Sequence, residues 1–374
     1  MLLIRSLRTL RHVQDSSINS IPKIANHKTM PANKLHPKTL VIERKAPANG
    51  IFDEQDYIIS MPRISANEFY LQYPRGTYTA ARTVQKTSIM SFDVHLARLA
   101  SSLTLMHFNP ENCNDYVESS EASRALNRLR DTKILETVLV PMVRKGMTEY
   151  YKEVEEDVFG EEQETKVSIL IGYDFKVHEL IMASHFTPLA GPPRGSVKVE
   201  LRGHPRSTAA AKDTAWVRER QALEEKRGHD VNEVVLSDAA TGTIYEGLSS
   251  NFFTLVNSDE RPFIQTAPPP HVLSGTVMQL VMDVCKEENI EVRLEFPRLQ
   301  DGIAGNWLGA FVTSTSRLVL PIRQMAIPQD EHDHEDLCPT GTCITFPANQ
   351  PHPIIERIRA RVREHVVSRA FKIL

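Results

Sequence analysis

The chain has 374 residues and a formal net charge of −3, from 44 Lys and Arg against 47 Asp and Glu. With 41% hydrophobic and 24% charged residues it has the composition of one or two globular domains, which excludes wholesale disorder. The charge balance excludes a surface built to neutralise many nucleic-acid phosphates, and no run nears the roughly 20 apolar residues of a spanning helix, so neither nucleic acid nor membrane is an expected partner.

Residues 1–42 carry Arg5, Arg8, Arg11, Lys23, Lys28, Lys34 and Lys38 but a single acid, Asp15. Leu3, Leu7 and Leu10 recur at helical spacing with Arg5 and Arg8 between them. A basic, amphipathic start nearly free of acids is the composition of a mitochondrial transit peptide. A disordered tail of chance composition, with a cytoplasmic protein, is the alternative. Residues 1–48 are set apart on this ground, and the fold is expected to begin near Asn49.

Tyr57–Met61 and Thr77–Thr83 read as strands. Ser91 is placed to cap a helix over Phe92–Leu103, with Leu96, Leu99 and Leu103 on one stripe. Ser123–Leu129 and Ile134–Glu156 are helical by pattern. A charged loop, Glu155–Lys166, precedes strands Val167–Tyr173 and Phe175–Ala183. The stretch Pro188–Gly195 reads as a linker by its Pro and Gly content. This divides the chain into a small N-terminal domain over 49–187, a linker over 188–196 and a larger C-terminal domain over 197–374. The second part predicts a strand Val197–Leu201 and a charged helix Asp213–Arg227. Short strands follow at Glu233–Leu236, Thr243–Tyr245, Phe252–Val256 and Phe263–Gln265. Ser274-Gly275 opens a helix with Val277, Leu280, Val281 and Val284 on one face. Phe311–Val319 reads as one strand, and Pro353–Phe371 as a terminal amphipathic helix.

Three places could carry chemistry. The helix start at Ser274–Val277 offers unpaired N–H groups that suit a phosphate, with Gly275 allowing close approach and Thr276 adding a hydroxyl; an ordinary serine cap is the alternative. Glu246 ends a strand before a small polar turn, either as an exposed acid or as a cleft carboxylate facing a basic ligand nitrogen. Lys212 follows Ala209-Ala210-Ala211, either as a plain lysine before a helix or as an amine nucleophile whose small neighbours admit a planar cofactor.

Taken in order, Lys212, Glu246, the Ser274–Val277 helix start and the hydroxyl-rich Thr313-Ser314-Thr315-Ser316 resemble the class IV pyridoxal-phosphate aminotransferases. The segments Gly76–Arg82 and Phe92–Ser102 resemble that family's early strand and its following helix with His95 and Arg98, and the likeness spans about residues 55–325. The resemblance implies fold type IV, a mixed α/β or α+β architecture with a smaller N-terminal domain and a larger, barrel-like C-terminal domain. It implies a homodimer that moves an amino group between an amino acid and a 2-oxo acid, similar to branched-chain aminotransferases. It also implies roles: Lys212 holds pyridoxal phosphate covalently and relays the proton; Glu246 faces the ring nitrogen; Arg98, Thr276, Val277 and Thr315 hold the phosphate; Ser249 lies beside the ring; Tyr78, Arg82 and Ser316 face the substrate.

Three departures stand out. Val217 takes the place of a tyrosine that supports the cofactor's phenolic oxygen, and Arg206 is a candidate replacement. Trp216-Val217-Arg218-Glu219-Arg220 is unusually charged, either as a solvated face or as a reshaped substrate pocket. The turn Glu246–Asn251 is nearer the D-amino acid enzymes. A lyase of the same fold and a non-catalytic homologue stay open as alternatives. Elsewhere, Glu331–Asp336 with Cys338 has metal-ligand residue types but reads as a solvated loop, so no metal is expected. The four cysteines make no disulfide framework.

Overall fold

The computed structural model describes residues 37–47, 57–110, 117–154, 163–193, 195–330, 339–347 and 350–374. Residues 1–36 of the segment read as a transit peptide and the 331–338 stretch lie outside these, as do most of the loop expected before Lys166 and Arg194 of the linker. The elements run β1 (Leu40–Pro47), β2 (Ile58–Ser60), α1 (Ala66–Leu71), β3 (Gly76–Val84), β4 (Ser88–Met90), α2 (Phe92–Leu105), α3 (Ser120–Leu126), α4 (Thr132–Glu153), β5 (Thr165–Asp174) and β6 (Glu179–Pro188). Then follow β7 (Val197–Leu201), α5 (Ala215–Glu219), α6 (Gln221–Lys226), β8 (Glu233–Asp238), β9 (Thr243–Gly247), β10 (Asn251–Val256), β11 (Phe263–Thr266), α7 (Thr276–Glu287), β12 (Val292–Leu294) and α8 (Leu299–Ile303). The chain closes with β13 (Trp307–Ser314), β14 (Leu318–Ala326), β15 (Cys343–Thr345), α9 (Pro353–Ser368) and β16 (Ala370–Lys372).

The strands form two sheets. The first is antiparallel, in the order β16-β4-β3-β5-β6-β1-β2. Its alternation is that of a sheet covered on both faces: Val167, Ile169 and Ile171 of β5 join the core under α2 and α4, while Leu170 joins Phe69, Tyr70 and Tyr78 on the other side. The second sheet closes on itself, because β9 pairs with β10 as well as with β8. The ring β10-β13-β14-β7-β8-β9 follows, with β11-β12 and β15 as extensions. Even-numbered Phe252, Ala310, Val312, Leu320 and Ile322 fill one cluster with Val199 and Leu201 inside the ring. Odd-numbered Phe253, Phe311 and Val319 face the other way, onto α7 and α9. Residues 36–374 form one compact unit, so both sheets can contribute to a shared site.

Several sequence expectations are corrected. Strand β1 falls inside the segment set aside from the fold; it buries Leu40 and Ile42 beside β6. Ser91 does not cap α2 with its side chain and instead takes a left-handed φ of 46°. The hairpin after β5 turns later than expected, because the Asp174 carboxylate accepts from the Lys176 N–H at 2.8 Å and holds Phe175 and Lys176 in the turn. The charged helix after Lys212 is two pieces that meet at Arg220, whose side chain is buried. The single strand read over Phe311–Val319 is a hairpin, β13 and β14, with Ser314 Oγ accepting from the Arg317 N–H at 3.3 Å across the tip.

One packing contact gives a stability test. A Cβ added to Gly146 on α4 would lie 2.5 Å from Cζ of Phe186, a fully buried ring on β6. Phe186 also packs against Tyr150 at 6.1 Å and has nowhere to yield. Gly146→Ala is expected to destabilise by about 1–3 kcal/mol through overpacking, despite alanine's better helix propensity. Heat or urea unfolding reads this directly, and a rise in midpoint would show that helix and sheet have slack.

Candidate active site

Lys212 is fixed from two elements of the first sheet and its covering helix. The Tyr78 N–H donates to the Lys212 carbonyl at 2.9 Å, and the Thr214 N–H donates to the Gly76 carbonyl at 2.9 Å, so the segment runs beside β3 like a short extra strand. The Lys212 N–H donates to Ser102 Oγ of α2 at 3.1 Å. Its Nζ lies 4.6 Å from the centre of the Tyr78 ring. Burial, and then the guanidiniums of Arg98, Arg206 and Arg220, hold this amine well below the usual lysine range, with Glu246 as the opposing influence. A lysine so placed presents a neutral amine, the form that attacks a carbonyl carbon.

Glu246 ends β9 and is buried. Arg206 donates to its Oε1 from Nε at 2.8 Å and from Nη2 at 2.6 Å, and the Leu273 N–H donates to Oε2 at 3.1 Å. Burial pushes the carboxyl upward, while Arg206 and the Leu273 N–H favour the anion. Two guanidinium N–H groups converge on Oε1 of this buried pair, and it is held as carboxylate and cation. Arg206 also donates to the Ala209 carbonyl at 2.9 Å and lies over Trp216 at 5.3 Å. It therefore serves Glu246. Val217 is fully buried in the cluster with Tyr70 and Tyr78 and does not line the cavity.

Arg98 of α2 donates from Nη2 to Thr79 Oγ1 at 2.6 Å. Thr79 Oγ1 lies 2.7 Å from His95 Nδ1. Arg98 Nη2 also lies 3.1 Å from Nδ1, and because arginine only donates, Nδ1 is the acceptor and the neutral imidazole carries its proton on Nε2. Burial, then Arg98 and Lys212, keep that ring far from protonation. Burial also brings Arg98 down to about 10.

The start of α7 supplies the unpaired N–H groups of Thr276 and Val277. Gly275 is required there, since a Cβ would strike Asn251 Oδ1. Asn251 is itself held by donating to the Leu273 carbonyl at 2.7 Å. Thr276 Oγ1, Thr313 Oγ1 and Arg98 Nε are buried without a hydrogen-bond partner among the described residues. Each such group costs about 1–3 kcal/mol if left unmet, so three around one cavity mark a place for a polar, anionic ligand.

These groups meet in one cavity of about 280 Å³. It brings together Lys212, Glu246, Arg98, Thr276, Val277, Tyr78, Ser249, Thr315 and Ser316, but not Arg82. Ser249 is committed to protein: its hydroxyl donates to Glu233 Oε2 at 3.0 Å and accepts from Arg317 at 3.1 Å. Glu233 is ion-paired with Arg317, which overrides the effect of burial and holds the carboxyl low. Sequence reasoning missed Lys166, Tyr70, Asn67, Thr313 and Arg317, all in the lining. Lys166 had a readable signal: it alternates with Val167, Ile169 and Ile171, so it shares a face with Leu170 rather than ending a loop.

The residues present fit pyridoxal phosphate. The amine suits an aldehyde, the orphan hydroxyls and helix start suit a phosphate, and Glu246 Oε2 keeps a lone pair for a ring N–H. Residues 76–325, about two thirds of the chain, match the family model of amino-transferase class IV. No curated protein matches the chain. Among solved structures it is similar to a fold IV-transaminase from Curtobacterium pusillum, with 15% identity, 88% of this chain and 99% of that one covered, and a TM-score of 0.55. A hypothetical aminotransferase from Mycobacterium tuberculosis in its PLP-bound form shares 15% identity over 87% of this chain and 99% of that one, with a TM-score of 0.53. A branched-chain amino acid aminotransferase from Escherichia coli shares 16% over 80% and 89%, with a TM-score of 0.52.

The low pKa of Lys212 has a sign that can be measured. Its folded value lies below the unfolded one, so the unfolded chain binds more protons and stability rises with pH toward the unfolded lysine value of 10.5. Lys212→Met is expected to raise the unfolding midpoint at neutral pH by at least about 2 °C, with the gain shrinking as pH rises. A variant that melts lower at pH 7 would mean the amine is paired and charged.

Proposed function

The chain belongs to the class IV aminotransferases, and on that premise we propose that it exchanges an amino group between an amino acid and a 2-oxo acid, with pyridoxal phosphate as cofactor. One observation carries the reading: a lysine held neutral, an ion-paired carboxylate and three orphan polar atoms face one cavity. Pyridoxal phosphate, when bound, supplies an electrophilic aldehyde and a ring that accepts electron density from a deprotonated carbon. Lys212 would hold it and, once released, move the proton to and from the substrate Cα. The backbone bonds to β3 and Ser102 keep that amine over Tyr78 throughout. Glu246, kept ionised by Arg206, would sit against the ring nitrogen. Arg98 and the first turn of α7, with Thr276 and Thr313, would hold the phosphate. Thr315 and Ser316, on the β13–β14 turn, lie where a substrate carboxylate could meet a turn of small polar residues.

A homodimer belongs to this reading, supported by the family likeness. A branched-chain preference has only the names of similar structures behind it. A division after residue 187 is supported by the separate sheets, which β16 crosses by joining the first, but the first part reaches back to β1 at Leu40 rather than beginning at 49. A mitochondrial location is supported by the composition of residues 1–42.

Borohydride reduction of the loaded protein should attach cofactor to the peptide containing Lys212; label on Lys166 or Lys226 would overturn the assignment. A panel of amino acids and 2-oxo acids should show two-stage, ping-pong exchange rather than elimination. Glu246→Gln removes the charge that would face the ring nitrogen and leaves buried Arg206 unbalanced, so its melting point is read beside its kinetics. Its kcat should fall roughly a hundredfold or more, a few kcal/mol, while the absorbance of bound cofactor persists. Near-normal kcat in that variant would reduce Glu246 to a turn residue.

A further inference from the structure

Leu318, in the turn between β13 and β14, has a left-handed φ of 56°, although it is not glycine and its side chain is buried. Such a backbone persists only where its surroundings over-determine it, and it gathers at functional sites. Here one neighbouring side chain supplies the polar constraint. Arg317 Nε donates to Ser314 Oγ at 3.1 Å, and Nη1 donates to the Asn232 carbonyl at 3.2 Å and to Asn232 Oδ1 at 2.8 Å. Its Nη2 donates to Glu233 Oε2 and, at 3.1 Å, to Ser249 Oγ. A guanidinium has five N–H groups, and all five are spent on protein. Arg317 therefore lines the cavity with no donor left for a ligand.

The acceptors come from three separate stretches: the start of β8, the turn after Glu246 and the end of β13. Glu233 extends the grip. Its Oε2 also accepts from Ser249 Oγ at 3.0 Å and Ser250 Oγ at 2.9 Å, and its Oε1 accepts from the Val234 N–H at 3.2 Å. The Gly247 N–H closes the turn on the Ser250 carbonyl at 2.7 Å. A Cβ on Gly247 would lie 2.9 Å from Glu233 Cγ, so this turn is seated directly on the glutamate. Behind the two turns, β10 and β13 are laddered as far as Asn251 and Thr313. Beyond that last pair, every hydrogen bond between the two tips among the described residues runs through Arg317 and Glu233. The pair is shielded from solvent, with side chains 15% and 3% exposed, so salt screens it little.

We propose that Arg317 is a positioning residue: clamped to Glu233, it fixes the spacing between the turns Gly247–Ser250 and Ser314–Leu318, and so sets how Thr315 and Ser316 meet the substrate. The proposal rests on the transaminase reading above and adds to that site a residue that acts without touching substrate. A contact made from a turn is only as precise as whatever holds the turn's backbone.

The test separates placement from stability, using the cofactor-loaded protein. Arg317→Met strands a buried carboxylate, so its unfolding midpoint should fall. Adding Glu233→Gln removes that charge, and the midpoint should rise again. In this double variant the backbone amides of residues 247–250 and 314–318 should nonetheless exchange with solvent roughly tenfold faster or more, while those of β5 and α4 are unchanged. KM for the amino acid and the 2-oxo acid should also rise roughly tenfold or more, and by more than kcat falls, since a misplacement of about 1 Å can cost a hundredfold. Arg317→Lys keeps the charge without the fork; it should hold the midpoint and still raise KM. If KM and exchange return to wild type together with the midpoint in the double variant, or if Arg317→Lys keeps wild-type KM and exchange, the pair is structural only and the proposal falls. The two readings fail separately. Faster exchange at both turns, with no amino transfer by the wild type from any amino acid, keeps the clamp and overturns the transaminase reading. An active wild type whose double variant matches it in exchange and KM keeps the transaminase reading and overturns the clamp.

Discussion

A lysine amine among guanidiniums is the arrangement on which the rest of the molecule turns. Lys212 is buried near Arg98, Arg206 and Arg220, and each of these makes its protonated form less favourable. Unrelieved, that concentration of positive charge would be ruinous in a low-dielectric cleft. The fold relieves it with dedicated carboxylates. Glu246 takes Arg206 and Glu233 takes Arg317 across different elements, and Glu224 takes Arg220 one helical turn away. The carboxylates also tie loops together: Glu246 to the loop before α7 through Leu273, and Glu233 to the turn Ser249-Ser250. The guanidiniums that, with burial, disfavour the charged amine are thus held by the same carboxylates that shape the cavity.

Local glycine and hydroxyl placement completes the arrangement. Gly275 lets α7 begin against Asn251, and the helix start then points two N–H groups and the Thr276 hydroxyl the same way. A bound anion would satisfy these together with Arg98, so occupancy and folding stability are linked: ligand at a hundred times its dissociation constant adds about 2.7 kcal/mol. A cavity built from orphan groups is stabilised by what it binds.

Much of this was legible in the sequence, and what was missed has physical reasons. The strand Gly76–Val84, the helix from Phe92 and the helix from Thr276 carry strong periodicity and were read close to their bounds. The β13–β14 hairpin was read as one strand because Phe311–Val319 alternates without a glycine; its turn is made by Ser314 and a left-handed Leu318, which propensity does not flag. Strand β1 was lost because its sequence neighbours a basic, acid-poor stretch, although Leu40, Ile42 and Ala46 alternate correctly for burial. Lys166 was taken for loop because lysine seldom faces a buried cavity, yet its register beside Arg82 places it there. Charged residues in buried registers are where pattern reading fails, because pattern assumes that charge means solvent.

The charged helix after Lys212 shows the same conflict resolved in favour of the site. Trp216 donates its indole N–H to the Leu248 carbonyl at 2.8 Å, and Arg220 donates to the same carbonyl at 3.2 Å. Both side chains grip the turn that follows Glu246. The helix breaks where it does because Arg220 must turn inward to reach that carbonyl and Asn67 Oδ1, at 3.1 Å. Lys212, Glu246 and the α7 start thus meet at one cavity, and Trp216 and Arg220 hold in place the turn beside it.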